Sequence, residues 1–115
     1  MKSNYCIALT ACPNPDVATQ LARKVVEQQL AACVNIIPAV QSIYQWQGKI
    51  EQENESLLIM KTKQQRIASL ESFIQKHHPY EVPEFVTTTI QSGSKAYLDW
   101  ITASLSNDTK PCKID

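Results

Sequence analysis

Two long runs of strand-forming residues flank one short turn, and this pair constrains the fold more than any other feature of the sequence. The first run covers residues 32–46, and the second ends near residue 62. Gln47-Gly48-Lys49 between them favours a tight hairpin turn, because Gly48 can adopt a positive φ angle without steric cost. Strands of about 14 residues, at about 3.3 Å per residue, reach about 45 Å. A compact domain of this length has a diameter of only about 35 Å, so the hairpin is expected to project beyond it.

The projecting end of this hairpin carries large apolar side chains, namely Ile43, Tyr44 and Trp46. Its strands also present unpaired backbone N–H and C=O groups along their outer edges, which invite pairing with another chain. An exposed apolar segment of this kind is an aggregation hazard unless a second subunit covers it. The sequence therefore predicts a closed homo-oligomer that is held together by strand pairing between subunits.

Turn residues and hydrophobic periodicity predict the remaining elements. Asn14 suits an N-cap and Pro15 the first position of a helix whose apolar face recurs every four residues. Pro38 predicts a kink in the second strand. A later helix must end at His78, because Pro79 disfavours helical geometry in the preceding residue. The predicted elements are strand 5–11, helix 15–30, strand 32–46, a third strand ending at 62, a helix from 67 to 78, strand 83–90, and a helix after its Ser94 cap.

The order β-α-β-β-α-β followed by a helix predicts an α+β fold of the ferredoxin-like, split βαβ type. In this arrangement a four-stranded antiparallel sheet is covered on one face by the first two helices. The chain of 115 residues is long enough for one hydrophobic core. We therefore predict a single domain over residues 1–105, with a C-terminal helix at its end, and a flexible polar tail over residues 106–115.

Charge and cysteine content exclude several classes of function. Eleven basic and eleven acidic residues cancel, so no long-range positive field recruits nucleic acid or an anionic membrane surface. The only two arginines, Arg23 and Arg66, fall in predicted helices, which disfavours a phosphate-handling enzyme. Neither a signal region nor paired Cys-x-x-Cys spacing is evident, so we predict a cytoplasmic protein with free thiols. These four thiols belong to Cys6, Cys12, Cys33 and Cys112.

Three sequence blocks in order, residues 30–38, 42–50 and 78–84, make the chain resemble the CutA family of divalent-cation tolerance proteins. The resemblance extends from about Tyr5 to Leu105. It implies a homotrimer of ferredoxin-like subunits, related in architecture to PII signalling proteins. It also implies a role in divalent-cation tolerance, usually for copper, without catalytic activity. No cofactor is then required, although Cu(II) or another divalent cation could bind weakly.

His78 and Glu84 flank a proline-stiffened loop, and an imidazole with a carboxylate is a plausible partial site for Cu(II) or Zn(II). In some bacterial relatives a cysteine at the end of the first strand joins them, but Thr10 occupies that position here. Cys12 follows two residues later on the same strand face. The alternative interpretation is that His78 only ends its helix, next to the last carbonyl groups. His77 is predicted to face solvent.

Kinship with PII proteins suggests a second type of site, a cleft between subunits that binds a small ligand. Its predicted members are Tyr44, Trp46, Lys61, Tyr80 and Glu84. The alternative is that the aromatic residues merely fill the subunit interface. Cys33 lies in an apolar run and is predicted to be a buried, inert thiol. Glu51, Glu53 and Glu55 are predicted to form a solvated strand edge without chemistry.

Three functions remain open on this sequence. The first is a trimeric, non-enzymatic protein of divalent-cation tolerance. The second is a sensor that binds a small metabolite between subunits, and the third is a trimeric scaffold whose function lies in its protein partners.

Overall fold

A computed structural model describes residues 4–105, and it shows the four-stranded antiparallel sheet that the sequence predicts. The sheet order is β2-β3-β1-β4, and β1 pairs with both β3 and β4. The strands are β1 (Tyr5–Cys12), β2 (Cys33–Trp46), β3 (Lys49–Lys63) and β4 (Val86–Thr89); the helices are α1 (Pro15–Glu27), α2 (Ile67–His77) and α3 (Lys95–Leu105). The α+β, ferredoxin-like prediction is confirmed, and the predicted tail at 106–115 lies outside the described residues.

Helix α1 begins where the cap signal predicts and ends earlier than predicted. The Asn14 side chain accepts a hydrogen bond from Val17 N at 2.9 Å. The helix stops at Glu27 rather than near Leu30, because Gln29 adopts a positive φ angle of 57°. Leu30 N then donates to Val25 O and Gln29 N to Val26 O, both at 3.0 Å. These two bonds form a Schellman motif, which satisfies the last carbonyl groups of the helix.

One face of the sheet and helices α1 and α2 enclose the main core. Ala8, Leu58 and Met60 from the sheet are fully buried, with 0% of their surface exposed. They pack against Leu21 and Val25 of α1 and against a cluster from α2 that comprises Leu70, Phe73 and Ile74. This arrangement confirms that the first two helices cover the same face.

Helix α3 packs beside Tyr5, whose side chain points away from the main core because side chains alternate along a strand. Ile101 and Leu105 of α3 are buried there against Ala32. The Tyr5 hydroxyl lies 2.6 Å from Thr102 Oγ1. Helix α3 thereby covers one end of the second face of the sheet. Among residues 4–105, no helix is long and apolar enough to cross a membrane.

The β2–β3 hairpin is longer than the rest of the sheet. Strand β1 ends at Cys12, opposite Ser56, whereas the ladder between β2 and β3 continues to the pair Trp46 and Lys49. We call residues 40–55, which form the part of the hairpin beyond β1, the ribbon. The described chain measures 50 × 31 × 22 Å and its radius of gyration is 15.3 Å, against about 13 Å for a compact domain of this size. The predicted projection is confirmed.

A bulge separates the ribbon from the body of the sheet. The ladder shifts register between Ile37 and Val40, at the position where Pro38 predicts a kink. Ser56 Oγ donates to Pro38 O at 2.8 Å and holds the bulged segment to the opposite strand. At the far end, Gln47 and Gly48 take φ angles of 51° and 80°. Two consecutive positive φ angles match the twist of a tight hairpin turn.

Candidate functional site

The ribbon exposes large apolar side chains on both of its faces. The exposed fractions are 63% for Ile43, 73% for Ile50 and 48% for Trp46. In the ladder, Tyr44 pairs with Glu51 and Ile43 pairs with Gln52. The side chains of the neighbouring residues Tyr44 and Ile43 therefore point to different faces of the ribbon. A two-stranded ribbon with so little covering it is marginally stable in water. The ribbon is therefore an exposed apolar surface of the described chain.

One face of the ribbon is acidic. Glu51, Glu53 and Glu55 alternate along β3 and share this face with Tyr44. Partial desolvation first, and then the nearby carboxylates, above all that of Glu53, raise the pKa of Tyr44. Two of the three carboxylates are exposed or half-buried, as the sequence predicts for a solvated edge.

Glu55 departs from that prediction, because only 8% of its surface is exposed. The Tyr80 hydroxyl donates to Glu55 Oε2 at 2.9 Å. Burial first, and then the bond to the Glu55 carboxylate, raise the pKa of Tyr80 well above its ordinary value. A charged acceptor makes this hydrogen bond stronger than one between neutral groups. Glu55 is thus a buried member of the site, and alternation along the strand gave no sign of it.

His78 ends α2 as predicted, but its imidazole lies against β1 rather than against the last carbonyl groups of the helix. His78 is 7% exposed, and its Nε2 lies 2.7 Å from Ala11 O. Tyr80 N donates to Nδ1 at 3.1 Å. The acceptor role of Nδ1 leaves Nε2 to carry the proton, so the neutral ring donates to Ala11 and both nitrogens are engaged. The contact with a helix carbonyl is made by the exposed His77, whose Nδ1 lies 3.1 Å from Phe73 O.

Thr10 and Glu84, the other residues of the predicted metal site, are joined by a hydrogen bond to the Glu84 backbone, next to the end of β1 that His78 contacts. Thr10 Oγ1 donates to Glu84 O at 2.6 Å, which fixes the end of loop 78–84 to β1. The Glu84 carboxylate belongs to an exposed residue. Within residues 4–105, no three His, Cys, Asp or Glu side chains are grouped so that they could hold a metal ion. The fold brings Thr10, His78 and Glu84 to one end of β1, and the contact that Glu84 makes there uses its carbonyl group.

The predicted ligand cleft is divided between two distant parts of the subunit. Tyr44 and Tyr80 are both beside the carboxylates of the ribbon, since Tyr80 binds Glu55 and Tyr44 lies opposite Glu51 on the same face. Trp46 pairs with Lys49, and Lys61 is 12 residues farther along β3, which corresponds to about 40 Å. Lys61 instead donates to the side chain of Asn35. The five residues therefore do not form one cleft within the described chain.

A shallow, open groove of about 300 Å³ lies elsewhere, between α1 and the outer strand β2. Ala22, Val26 and Val34 line it, with Arg23 and Glu27 at its sides. None of the residues predicted for the cleft contributes to this groove.

Two cysteines differ in accessibility, and one differs from its prediction. Cys33, which the sequence predicts to be buried, is only half-buried, because it opens the outer strand β2 beside Tyr97 of α3. Cys12 is fully buried at the end of β1. Burial first, and then the charge of Glu55, raise the pKa of Cys12 to about 11. The protonated thiol of Cys12 is a poor nucleophile and a poor metal ligand near neutral pH.

Comparison with known proteins identifies relatives over almost the whole described chain. A family model described as "CutA1 divalent ion tolerance protein" matches residues 6–104. "Protein CutA" from Mus musculus is 46% identical over 103 residues, which are 87% of this chain and 58% of the mouse protein. "Divalent-cation tolerance protein CutA" from Thermus thermophilus is 42% identical over 95 residues, 83% of this chain and 92% of that protein.

Solved structures show the same fold. The crystal structure of CutA1 from the psychrotrophic bacterium Shewanella sp. SIB1 superimposes with a TM-score of 0.87 at 40% sequence identity, and the match covers 92% of this chain and 99% of the other. The chain spans between 52% and 62% of the length of its first matched vertebrate relatives. Much of those longer proteins therefore lies outside the region of similarity.

Proposed function

This chain belongs to the CutA1 divalent ion tolerance protein family, and from that premise we propose that it acts in divalent-cation tolerance, with copper as the ion, as a cytoplasmic homotrimer without catalytic activity. The family names describe a tolerance protein rather than an enzyme. The observation that carries the proposal is the ribbon, whose Ile43 and Ile50 side chains are 63% and 73% exposed. A subunit with such a surface gains stability when other copies cover it.

The assembly is tested by sedimentation at micromolar concentration. We expect one species with three times the mass of the chain, and a stable monomer would overturn the trimer. The variant Ile43→Asp places a charge on the exposed face of the ribbon and should favour dissociation, because a buried unpaired charge is costly. Val26→Asp is the matched control, since Val26 is 42% exposed and lies on α1, outside the ribbon and loop 78–84.

The role in cation tolerance is tested in cells. A bacterial strain that lacks its own CutA protein and is sensitive to copper should grow at higher Cu(II) concentration when it expresses this chain. Ile43→Asp serves as the comparison, because it should retain the fold of the subunit and lose the assembly. Equal growth with and without the wild-type chain would remove copper tolerance from the proposal. Fractionation of the same cells tests the cytoplasmic location, which a periplasmic signal would contradict.

Direct metal binding is proposed to be weak and to involve His78 and Glu84. Both imidazole nitrogens of His78 are already hydrogen-bonded, so a metal ion must first displace Ala11 or Tyr80. Calorimetric titration of Cu(II) into the wild type, His78→Ala and Glu84→Gln should show that each change lowers the affinity. Glu81→Gln is the matched control, because Glu81 is an exposed carboxylate of the same loop. Equal affinities for all four proteins would remove His78 and Glu84 as ligands.

A sensor of a small metabolite is the second candidate, and the exposed aromatic residues of the ribbon favour it. Tyr44 and Trp46 are 38% and 48% exposed, and the distance to Lys61 within one subunit requires a second copy to complete the cleft. A thermal-shift screen over metals and metabolites separates the candidates, because a ligand that binds the native state raises its melting temperature. A shift with a metabolite that Lys61→Met abolishes would support the sensor. No shift with any compound would favour a scaffold.

A further inference from the structure

A single phenol links the ribbon to loop 78–84. The Tyr80 hydroxyl donates to Glu55 Oε2 at 2.9 Å, and Glu55 pairs with Val40, the first ladder pair beyond the bulge. We infer that this hydrogen bond is a latch that sets the direction in which the ribbon leaves the body, with Tyr80 as a positioning residue. Its meaning for assembly rests on the proposed trimer. The latch itself is a property of one subunit.

The loop side of the latch is firmly anchored. His78 binds Ala11 O at 2.7 Å through Nε2, and Thr10 Oγ1 binds Glu84 O at 2.6 Å. Tyr80 is held between these two points, because its N–H donates to His78 Nδ1 at 3.1 Å and its ring centroid lies 4.8 Å from that of His78. The phenol is therefore presented from the end of β1 with little freedom.

The ribbon side has no comparable anchor. Strand β1 ends opposite Ser56, so beyond that point β3 pairs with β2 alone. The Ser56 to Pro38 bond joins one strand of the hairpin to the other. Within residues 4–105, the Tyr80 to Glu55 bond is the side-chain hydrogen bond that ties the ribbon to a different part of the subunit. Its loss should let the ribbon swing about the bulge.

Burial makes the Glu55 carboxylate depend on the Tyr80 hydroxyl as its hydrogen-bond donor. Glu55 is 8% exposed, and a carboxylate so far from water strongly prefers to keep its donor. The loop and the ribbon are consequently coupled, and coupling between two sites is reciprocal. A group that binds loop 78–84 and moves Tyr80 must alter the ribbon, and subunits that grip the ribbon must alter affinity at the loop.

Hydrogen exchange measured by mass spectrometry on the full chain tests the latch. Tyr80→Phe retains the ring and removes the hydroxyl, and we expect amides of residues 40–55 and 78–84 to exchange about tenfold faster. Amides of β1 and α2 should keep their rates. Tyr44→Phe is the matched control, because it removes a phenol from the acidic face of the ribbon and should leave the exchange of loop 78–84 unchanged.

The Glu55 variants supply a rescue test that does not depend on Tyr80→Phe. Glu55→Gln keeps an acceptor for the hydroxyl and should remain within about twofold of the wild-type exchange rates. Glu55→Ala removes the acceptor and should reproduce the pattern of Tyr80→Phe. If Glu55→Gln and Glu55→Ala behave alike, or if exchange rises equally throughout the chain, the latch is wrong.

Sedimentation of the same proteins separates this inference from the proposed function. A monomeric wild type would overturn the trimer and leave the exchange test of the latch intact. A trimeric wild type whose ribbon exchange and subunit dissociation constant are both unchanged by Tyr80→Phe would overturn the latch alone.

Discussion

The two ends of the β2–β3 hairpin share the same strands and the same pairing, yet they differ in what covers them. In the body, Leu58 and Met60 of β3 are 0% exposed beneath α1 and α2. In the ribbon, Ile50 of the same strand is 73% exposed. The change occurs where β1 ends at Cys12, opposite Ser56. Burial in this subunit therefore depends on the length of β1 rather than on the apolar character of the hairpin.

The largest expected effect on stability comes from truncating one aliphatic side chain in each region. Leu58→Ala should lower the free energy of unfolding by about 2–5 kcal/mol, because it leaves a cavity in a closed core. Ile50→Ala should change the stability of the isolated subunit by about 0.5 kcal/mol or less, as for other exposed positions. Urea unfolding monitored by circular dichroism measures both in the Ile43→Asp background, in which the proposed assembly should dissociate. Equal losses would show that the ribbon is part of the subunit core.

A smaller effect is expected from the thiol at the boundary. The pKa of Cys12 is raised from 9.0 to about 11 in the folded protein. The folded state thus holds this proton more tightly than the unfolded state. The contribution of Cys12 to the free energy of unfolding is fully present below pH 9 and is lost as the pH rises toward 11. Cys12→Ser does not titrate in this range and should show a shallower decline. Parallel curves of unfolding free energy between pH 8 and 11 would contradict the assigned environment.

The smallest effects concern two glutamines in left-handed conformation, one in each region. Gln29 follows α1 with a φ angle of 57°, and Gln47 lies in the ribbon turn with a φ angle of 51°. Gln29→Gly should raise the free energy of unfolding by about 0.5–1 kcal/mol, because glycine adopts this conformation without a steric penalty. Gln47→Gly should change it less, since opening the ribbon exposes few buried contacts. A larger gain from Gln47→Gly would place the turn within the cooperative unit.

These same residues show where sequence reasoning succeeds and where it fails. Local signals were sufficient for the Asn14 cap, the kink at Pro38 and the Gly48 turn, because each depends on the chemistry of neighbouring residues. The end of α1 was missed, because a glutamine rather than a glycine takes the left-handed position. The last strand was predicted over residues 83–90 but covers only Val86–Thr89, since loop 78–84 and its extension are fixed by contacts with β1.

The candidate site was less predictable than the fold, because its contacts join residues far apart in sequence. Alternation correctly placed Glu51, Glu53 and Glu55 on one face, but burial of Glu55 depends on Tyr80, which arrives from another loop. Residue type alone favours His78 as a ligand, but its contact with Ala11 spans 67 positions and carries no local signal. Cys33 was predicted to be buried from its apolar neighbours, but it lies on the outermost strand.

The bulge near Pro38 also determines which side chains the ribbon displays on each side. Before the bulge, odd-numbered residues of β2 pair with odd-numbered residues of β3, as Ile37 does with Leu57. After the bulge, even-numbered residues of β2 pair with odd-numbered residues of β3, as Tyr44 does with Glu51. Deleting Ala39 would remove the extra residue of the bulge and leave the pairs beyond it unchanged, because the turn at Gln47 and Gly48 holds their register. Removing one residue from each strand of the ribbon would instead turn the side chains beyond the deletion to the opposite face. Insertions and deletions can therefore be accepted in the ribbon in multiples of two residues per strand, a parity rule that a redesigned or naturally varied hairpin must obey.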